Sequence, residues 1–187
     1  MPSTKVNDDQ LLDSLTDVFR TYGYEGASLS RISKATGLQR ASLYHRFPGG
    51  KKEMAKAVLE RAGEWLSSRV LAPLTGHGKP TERVRKMAQE LHTFYSGGKH
   101  CCLLDSLSFG IEENEIKDHV RGGMGAWVEA LAKIARETGI PPKKARQQAQ
   151  DAISRIQGSL VMARVLKDNS VFERTLSELP TILLSHK

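Results

Sequence analysis

The chain has 187 residues, a length that fits one or two compact domains but excludes a large multidomain enzyme. Hydrophobic residues make up 39% and charged residues 26%, which excludes disorder across the whole chain. No uncharged apolar run is long enough to span a membrane, and aspartates stand where a signal peptide needs an apolar core. We therefore expect the protein to remain in the cytoplasm.

The net charge of +7 is concentrated in one short window. Residues 31–56 carry seven basic side chains against the single acidic Glu53. The basic residues are Arg31, Lys34, Arg40, Arg46, Lys51, Lys52 and Lys56. Such a patch favours a polyanionic partner, either nucleic acid or, less readily, an anionic membrane surface. A solvated basic face without a partner is the alternative.

Apolar residues recur at helical spacing along almost the whole chain, and strand-like alternation is missing. This spacing, with glycine and proline breaks, predicts helices over residues 11–22, 29–36, 39–46, 51–72, 81–96, 103–109, 114–138, 143–167 and 171–184. The segment PLTGHGKP, residues 73–80, is predicted to be a hinge or loop. The prediction is an all-α fold of about nine helices.

The first three predicted helices form a small unit, residues 1–50, and the helix over residues 51–72 connects it to a larger helical unit within residues 51–187. Ser28 is a good N-cap for the second helix, in which Ile32 and Ala35 are expected to face inward. Gly37 ends that helix. Three short helices with a glycine turn are typical of a helix-turn-helix.

The third helix has the composition of a recognition helix. A helix that enters the major groove needs short polar donors on its exposed face. Suitable side chains are Gln39, Arg40, Ala41, Ser42, Tyr44 and His45. Lys51, Lys52 and the N-terminus of the following helix suit DNA phosphates. The segment therefore predicts binding to double-stranded DNA.

The stretch SLSRISKATGLQRASLYHRFPGGKKEM resembles the DNA-binding region of the TetR/AcrR family of transcriptional regulators. The likeness covers about residues 11–59 and depends on the spacing of Ile32, Ala35, Gly37, Leu38, Leu43, Tyr44, Phe47 and Lys51. The FPGGK stretch is similar to the LmrA/YxaF-like branch, whose members often control drug-efflux genes. Gln39 and Ala41 depart from the Ser or Thr and the Gly that are frequent in the family.

The resemblance implies a homodimer that binds a pseudo-palindromic DNA operator, usually as a repressor. It implies that Arg40, Ala41 and Ser42 face base edges, with Gln39 beside them at the start of the helix. Tyr44 would contact the DNA backbone or a thymine methyl group, and His45 a phosphate or base. Lys51 would contact a phosphate, and Ser28 and Ser30 the backbone or groove edge. Packing of Tyr44 against the long helix and solvation of Arg40 are the alternatives.

The resemblance also implies that a small apolar or aromatic effector binds inside the C-terminal bundle. Candidate wall residues are Trp65, Met87, Leu91, Phe94, Tyr95, Leu104, Phe109, Met124, Trp127 and Met162. For each of them, ordinary core packing is the alternative. The last two helices are expected to form the dimer interface as a four-helix bundle. Its candidates are Ile153, Ile156, Leu160, Ala163, Phe172, Leu176, Leu179 and Leu183, and Gly158 would allow close helix approach.

Neither a metal nor a cofactor is expected. His100, Cys101 and Cys102 are consecutive and lack the second ligand pair of a structural zinc site. A thiol redox sensor would need an exposed cysteine of low pKa. The favoured interpretation is instead that Cys101 and Cys102 are buried cysteines at the start of a helix. Motifs of hydrolases, NTPases and dehydrogenases are missing, which argues against an enzyme. The leading hypothesis is a ligand-responsive repressor, and the alternative is a helical small-molecule-binding or redox-sensing regulator that uses Cys101 and Cys102.

Overall fold

The computed structural model describes residues 7–108 and 114–186. These residues are mostly helical and contain no β-strand, which confirms the predicted all-α class. The α-helices are α1 (Asp8–Gly26), α2 (Leu29–Thr36), α3 (Arg40–Arg46), α4 (Lys51–Trp65), α5 (Ala72–Thr75), α6 (Pro80–Phe94), α7 (Leu103–Ser106), α8 (Asn114–Glu137), α9 (Pro142–Leu166) and α10 (Ser170–Leu184). A π-helix (Leu66–Leu71) joins α4 to α5, and a 3-10 turn (Ser96–Gly98) follows α6. In the described parts of the chain, no helix is both long and apolar enough to cross a membrane.

Helix α1 starts with a capping box and contains a kink. The Asn7 side chain accepts a hydrogen bond from the Gln10 backbone N–H at 2.7 Å, and the Gln10 side chain accepts one from the Asn7 N–H at 3.4 Å. The sequence predicts an end at Gly23, but the helix continues to Gly26 around a Gly23 backbone at φ +65°. A Cβ at Gly23 would lie 3.1 Å from the Ser106 carbonyl oxygen, so the kink also needs glycine for close approach.

Helices α2 and α3 form the predicted helix-turn-helix. The Ser28 hydroxyl accepts a hydrogen bond from the Arg31 backbone N–H at 3.3 Å and caps α2. Gly37 ends α2 in the left-handed conformation, at φ +68°. Gln39 is the N-cap of α3 but makes no capping hydrogen bond with its side chain. The side chain of Gln39 is therefore not used to start the helix.

The inward position expected for Ala35 is wrong. Ala35 is exposed, and Thr36 occupies the buried position of the last turn of α2. The Thr36 hydroxyl donates to the Ile32 carbonyl at 2.8 Å and accepts from the Leu38 backbone N–H at 3.3 Å. A hydroxyl with both bonds made can be buried at little cost, and these bonds fix the turn that follows α2.

The chain divides into two compact units. Unit 1 contains the described residues of Met1–Gly63 and Leu103–Arg121. Its core contains buried apolar residues from the helices α1, α2, α3 and α4. Three residues from later in the chain, Leu103, Leu107 and Ile116, belong to the same core. The composition of unit 1 therefore differs from the predicted domain of residues 1–50. Most of α4, the whole of α7 and the start of α8 pack with the N-terminal helices.

A continuous helical run links α4 to α5 through the π-helix. The sequence predicts an end near residue 72, but helical structure continues to Thr75. The Ala72 backbone N–H donates to the Ser67 carbonyl, five residues back, as a π-helix requires. Pro73 has no N–H to donate and its ring would clash with a tight α-turn, so the wider turn before it has a local cause. With this run counted as one helix, the described residues form nine helices, as expected.

Unit 2 contains the described residues of Glu64–Cys102 and Gly122–Lys187. Helix α10 packs against α9 and α6, and much of the buried face of α9 is alanine, which allows close approach. One buried arginine, Arg83, makes three polar contacts through its terminal nitrogens inside this unit. The Arg83 guanidinium donates to the Leu74 carbonyl at 2.9 Å and to the Gly76 carbonyl at 3.1 Å, and it pairs with Glu137. Arg83, on α6, thus links the C-terminal end of α5 to α6 and α8.

Candidate DNA-binding surface

Helix α3 shows almost its whole side-chain surface to solvent. Leu43 is its one buried residue and is fully enclosed in the core of unit 1. The five other predicted readers on this helix, Arg40, Ala41, Ser42, Tyr44 and His45, are all exposed. Gln39, Ser28 and Ser30 are exposed as well. One apolar anchor therefore holds a short helix that leaves these five side chains exposed to solvent.

Tyr44 also touches the turn that leads into α4. Its side chain is 46% exposed, and a Cβ on Gly50 would lie 3.3 Å from its ring atom Cε1. Gly50 has φ +65°, and its carbonyl accepts the Met54 N–H at 3.1 Å, so Gly50 starts the first turn of α4. The adjacent Gly49 N–H donates to the Glu53 carboxylate at 2.7 Å. The two glycines thus let α3 and α4 meet in a tight turn.

Lys51 is engaged within unit 1. Its ammonium donates to the Tyr24 carbonyl at 3.0 Å and lies 4.2 Å from the centroid of the Tyr24 ring. The Glu25 carboxylate lies 3.9 Å away. These contacts fasten the start of α4 to the end of α1. The phosphate contact expected of Lys51 stays a prediction, and the structure adds a second role in positioning α4.

Most other cations of the basic window also have partners inside the protein. Arg31 donates to the Gly26 carbonyl at 2.6 Å, and Arg46 lies 3.1 Å from the Asp8 carboxylate. Lys52 and Lys56 lie 3.0 and 2.8 Å from the Glu115 carboxylate. Within residues 7–108 and 114–186, Lys34 and Arg40 are the two cations of the window without a hydrogen bond or ion pair in the structure. The seven charges are therefore not equally available to DNA.

Glu115 is a carboxylate of this surface that no signal in the sequence predicts. Hydrogen bonds from Lys56 and Lys52 lower the pKa of Glu115 to about 2, and the same contact raises the pKa of Lys56. Glu115 lies 59 residues after Lys56 in the chain, so the sequence gives no sign of this pairing. Its effect is to neutralise part of the basic window from an element far away in the sequence.

The predicted effector residues fall into different environments. Met87, Leu91, Tyr95 and Trp127 are buried in unit 2, and Met124 is half-buried. Met162 is 47% exposed, so the structure places it on the surface rather than in an interior wall. Leu104 packs against the core of unit 1. Phe109 lies outside the described residues.

An aromatic cluster in unit 2 joins several of these candidates. Trp65 and Phe94 stack with ring centroids 4.5 Å apart, and both are half-buried. Phe94 meets Tyr95 edge-on at 4.9 Å, and Tyr95 meets Phe172 edge-on at 5.9 Å. The indole N–H of the buried Trp127 has no acceptor among the described residues. Unit 2 thus holds an apolar, aromatic region and an unused hydrogen-bond donor.

The eight residues predicted for the dimer interface face the interior instead of a partner. Ile153, Ile156, Leu160, Ala163, Phe172, Leu176, Leu179 and Leu183 are at most 6% exposed within the single chain. Their helical spacing therefore reflects burial in the core of the single chain. The same helix α9 exposes four other apolar residues, Val161 (42%), Met162 (47%), Val165 (69%) and Leu166 (57%). Among the described residues of α9, these four are the large apolar side chains that the single chain leaves exposed.

Both the helix-turn-helix and the C-terminal part of the chain match known protein families. Residues 11–58 match the family described as bacterial regulatory proteins, tetR family. Residues 80–178 match the C-terminal domain of LmrA/YxaF-like transcriptional regulators, and this match covers 99 of the 187 residues. The chain belongs to the TetR family, in its LmrA/YxaF-like branch. This confirms the resemblance seen in the sequence, and it makes the chain a DNA-binding transcriptional regulator and not an enzyme.

Individual relatives of this TetR-family chain are distant in sequence but similar in fold. The HTH-type transcriptional regulator LmrA of Bacillus subtilis is 21% identical over 182 residues, which cover 94% of this chain and 95% of LmrA. A TetR transcriptional regulator from Legionella pneumophila has a TM-score of 0.83 at 19% identity, covering 97% of this chain and 100% of that one. A cysteine mutant of the regulator CifR, in complex with a 26-base-pair operator DNA, has a TM-score of 0.72 at 20% identity, covering 99% of this chain and 100% of that one.

The two cysteines of this TetR-family chain lie just before α7. Cys102 is 4% exposed, and Cys101 is half-buried. The placement fits cysteines that precede a helix, while redox sensing stays a prediction. Among the described residues, no group of three or more His, Cys, Asp or Glu side chains is arranged to hold a metal ion.

Proposed function

We propose that this regulator is a homodimeric repressor that binds a pseudo-palindromic operator in the cytoplasm. The observation that carries the proposal is the exposed polar surface of α3, held by one buried anchor, Leu43. A short helix of this kind fits the major groove. A two-fold dimer places two such helices about 34–36 Å apart, in successive major grooves.

Arg40 is the side chain that we assign to base reading. It lies at the start of α3, is exposed, and is one of the two cations of the basic window without an internal partner in the described part of the chain. An arginine in the groove donates two hydrogen bonds to a guanine edge. Lys34, on α2, is the other cation of the window without an internal partner in the described part of the chain, and its ammonium is suited to bind a DNA phosphate.

For the dimer we propose the exposed apolar end of α9 as the contact surface. Val161, Met162, Val165 and Leu166 lie close together on this helix and are each more than two-fifths exposed. A second copy that covers them would remove apolar surface from water. Gly158, one turn before them, leaves open space where a Cβ would stand, which suits close helix approach.

We further propose that an apolar or aromatic effector binds unit 2 and releases the operator. The stacked Trp65 and Phe94 supply aromatic surface, and the buried Trp127 N–H can donate to an acceptor atom on the effector. The effector must bind the low-affinity conformation better than the DNA-binding one, with a coupling of about 1–3 kcal/mol.

The proposal is tested by fluorescence anisotropy with the duplex that lies upstream of the chain's own gene and with an unrelated duplex of equal length. We expect the wild type to prefer the upstream duplex. Arg40→Ala should reduce that preference by about 1–3 kcal/mol at one base position and leave binding to unrelated DNA nearly unchanged. Equal losses on both duplexes would remove Arg40 from the base readers. Absence of binding to any duplex at low salt would overturn the proposed function.

A further inference from the structure

A single carboxylate holds two lysines of α4. Glu115 Oε2 lies 3.0 Å from Lys52 Nζ, and Glu115 Oε1 lies 2.8 Å from Lys56 Nζ. The two lysines are one helical turn apart, so they project from the same face of α4. Each carboxylate oxygen therefore serves one ammonium, and the pair of cations carries one internal counter-charge.

Lys52 stands where a DNA phosphate is expected. It is in the first turn of α4, immediately after the Gly49–Gly50 turn that follows the recognition helix. Its neighbour Lys51 donates to the Tyr24 carbonyl and is only 26% exposed, whereas the Lys52 side chain is 46% exposed. Of the two lysines, Lys52 is the one whose ammonium can turn to solvent without breaking a tie between α1 and α4.

We propose that Glu115 competes with DNA phosphate for Lys52, so that this internal anion lowers operator affinity. The inference rests on the proposed DNA-binding function and assigns a new participant to it. In the free protein Lys52 pairs with Glu115, and in the complex Lys52 pairs with a phosphate oxygen. Binding then replaces one ion pair by another, and the favourable release of counterions from that phosphate is partly offset by the pair that is lost.

The contact is suited to exchange because its members are all partly solvated. Lys52, Lys56 and Glu115 have side chains that are 46%, 39% and 46% exposed. Water can replace either partner at such a site, and no buried charge is left behind. Lys56 keeps Glu115 paired after Lys52 leaves. The position of Glu115 on the first turn of α8 makes the strength of this competition depend on where that turn lies.

The test uses the full-length protein and measures duplex binding by anisotropy between about 50 and 200 mM salt. Glu115→Gln removes the competitor, and Lys52→Gln removes the cation. Glu60→Gln is the matched control, because it removes the same charge from unit 1 at a carboxylate that lies 4.0 Å from His119. The double variant Glu115→Gln with Lys52→Gln completes the cycle. Circular dichroism establishes that each variant is folded.

We expect Glu115→Gln to bind the duplex several-fold more tightly than the wild type at low salt, because its Lys52 is not paired before DNA binds, and this gain should shrink as salt screens the internal ion pair of the wild type. Glu60→Gln should show the wild-type affinity at each salt concentration, and the gain from Glu115→Gln should vanish in the Lys52→Gln background. Wild-type affinity for Glu115→Gln at low salt, or a gain that survives without Lys52, would overturn the inference while leaving the proposed function intact. Failure of the wild type to bind any duplex would overturn the proposed function itself.

Discussion

Replacing Gly50 by alanine tests how α3 is joined to α4. Gly50 has φ +65°, a conformation that costs an alanine about 1–2 kcal/mol. Its new Cβ would also lie 3.3 Å from Cε1 of Tyr44, so the ring must move by a few tenths of an ångström. Overpacking of this kind destabilises the folded state by about 1–3 kcal/mol. Alanine also reduces the conformational entropy of the unfolded chain, which stabilises the protein by about 0.4–1 kcal/mol. We expect a net loss of about 2 kcal/mol and a Tm lower by about 4–8 °C.

Two other glycines of unit 1 separate these contributions. Gly37 has φ +68° but open space around its Cβ position, so Gly37→Ala should show the backbone cost alone. Gly63 is exposed within α4, is not in the left-handed region and also has open space, so Gly63→Ala should stabilise the helix by about 0.5–1 kcal/mol. Thermal and urea unfolding followed by helical circular dichroism would measure all three. Equal effects of Gly50→Ala and Gly37→Ala would refute the proposed contact with Tyr44.

Three further outcomes are expected elsewhere in the protein. Arg83→Met should lower stability by about 1–3 kcal/mol in urea unfolding, because the Leu74 and Gly76 carbonyls lose their donor; an unchanged midpoint would show that these bonds add nothing. Val165→Asp should lower the dimer fraction in analytical ultracentrifugation, whereas Ala126→Asp on the exposed face of α8 should not, and identical profiles would exclude the end of α9 as the interface. The Glu115 pKa is lowered from 4.5 to about 2, so its ion pairs stabilise the folded state above about pH 4.5 and are lost as the pH falls toward 2. The Tm difference between wild type and Glu115→Gln should therefore shrink over that range, and a difference that stays constant would contradict the pairing.

Local signals in the sequence predict the helices well. Ser28, Gly37 and the FPGGK turn determine where α2, α3 and α4 begin or end, because caps and left-handed residues act within a few positions. Even so, the π-helix before Pro73 was missed. Proline indicates that the α-helix is disturbed, but not whether the chain stops or widens its turn.

Contacts between distant parts of the chain could not be predicted in this way. Helical periodicity identifies a buried face but not what covers it, so the residues expected at the dimer interface proved to be the protomer's own core. The exposed Val165 and Leu166 lie off that face and were therefore not selected. The charge pattern of the sequence likewise predicts the basic window but not the internal partners of its lysines, because Glu115 lies in a different helix.

We propose that two exposed α3 helices, carried by a two-fold dimer, read successive turns of duplex DNA. Selection of bound sequences from a random duplex pool by the wild-type protein tests it most directly. We expect enrichment of two inverted half-sites whose centres are about 10–10.5 base pairs, or a multiple of that, apart. Arg40→Ala should relax the same position in both half-sites. Enrichment of no sequence, or of a single asymmetric site, would contradict the claim.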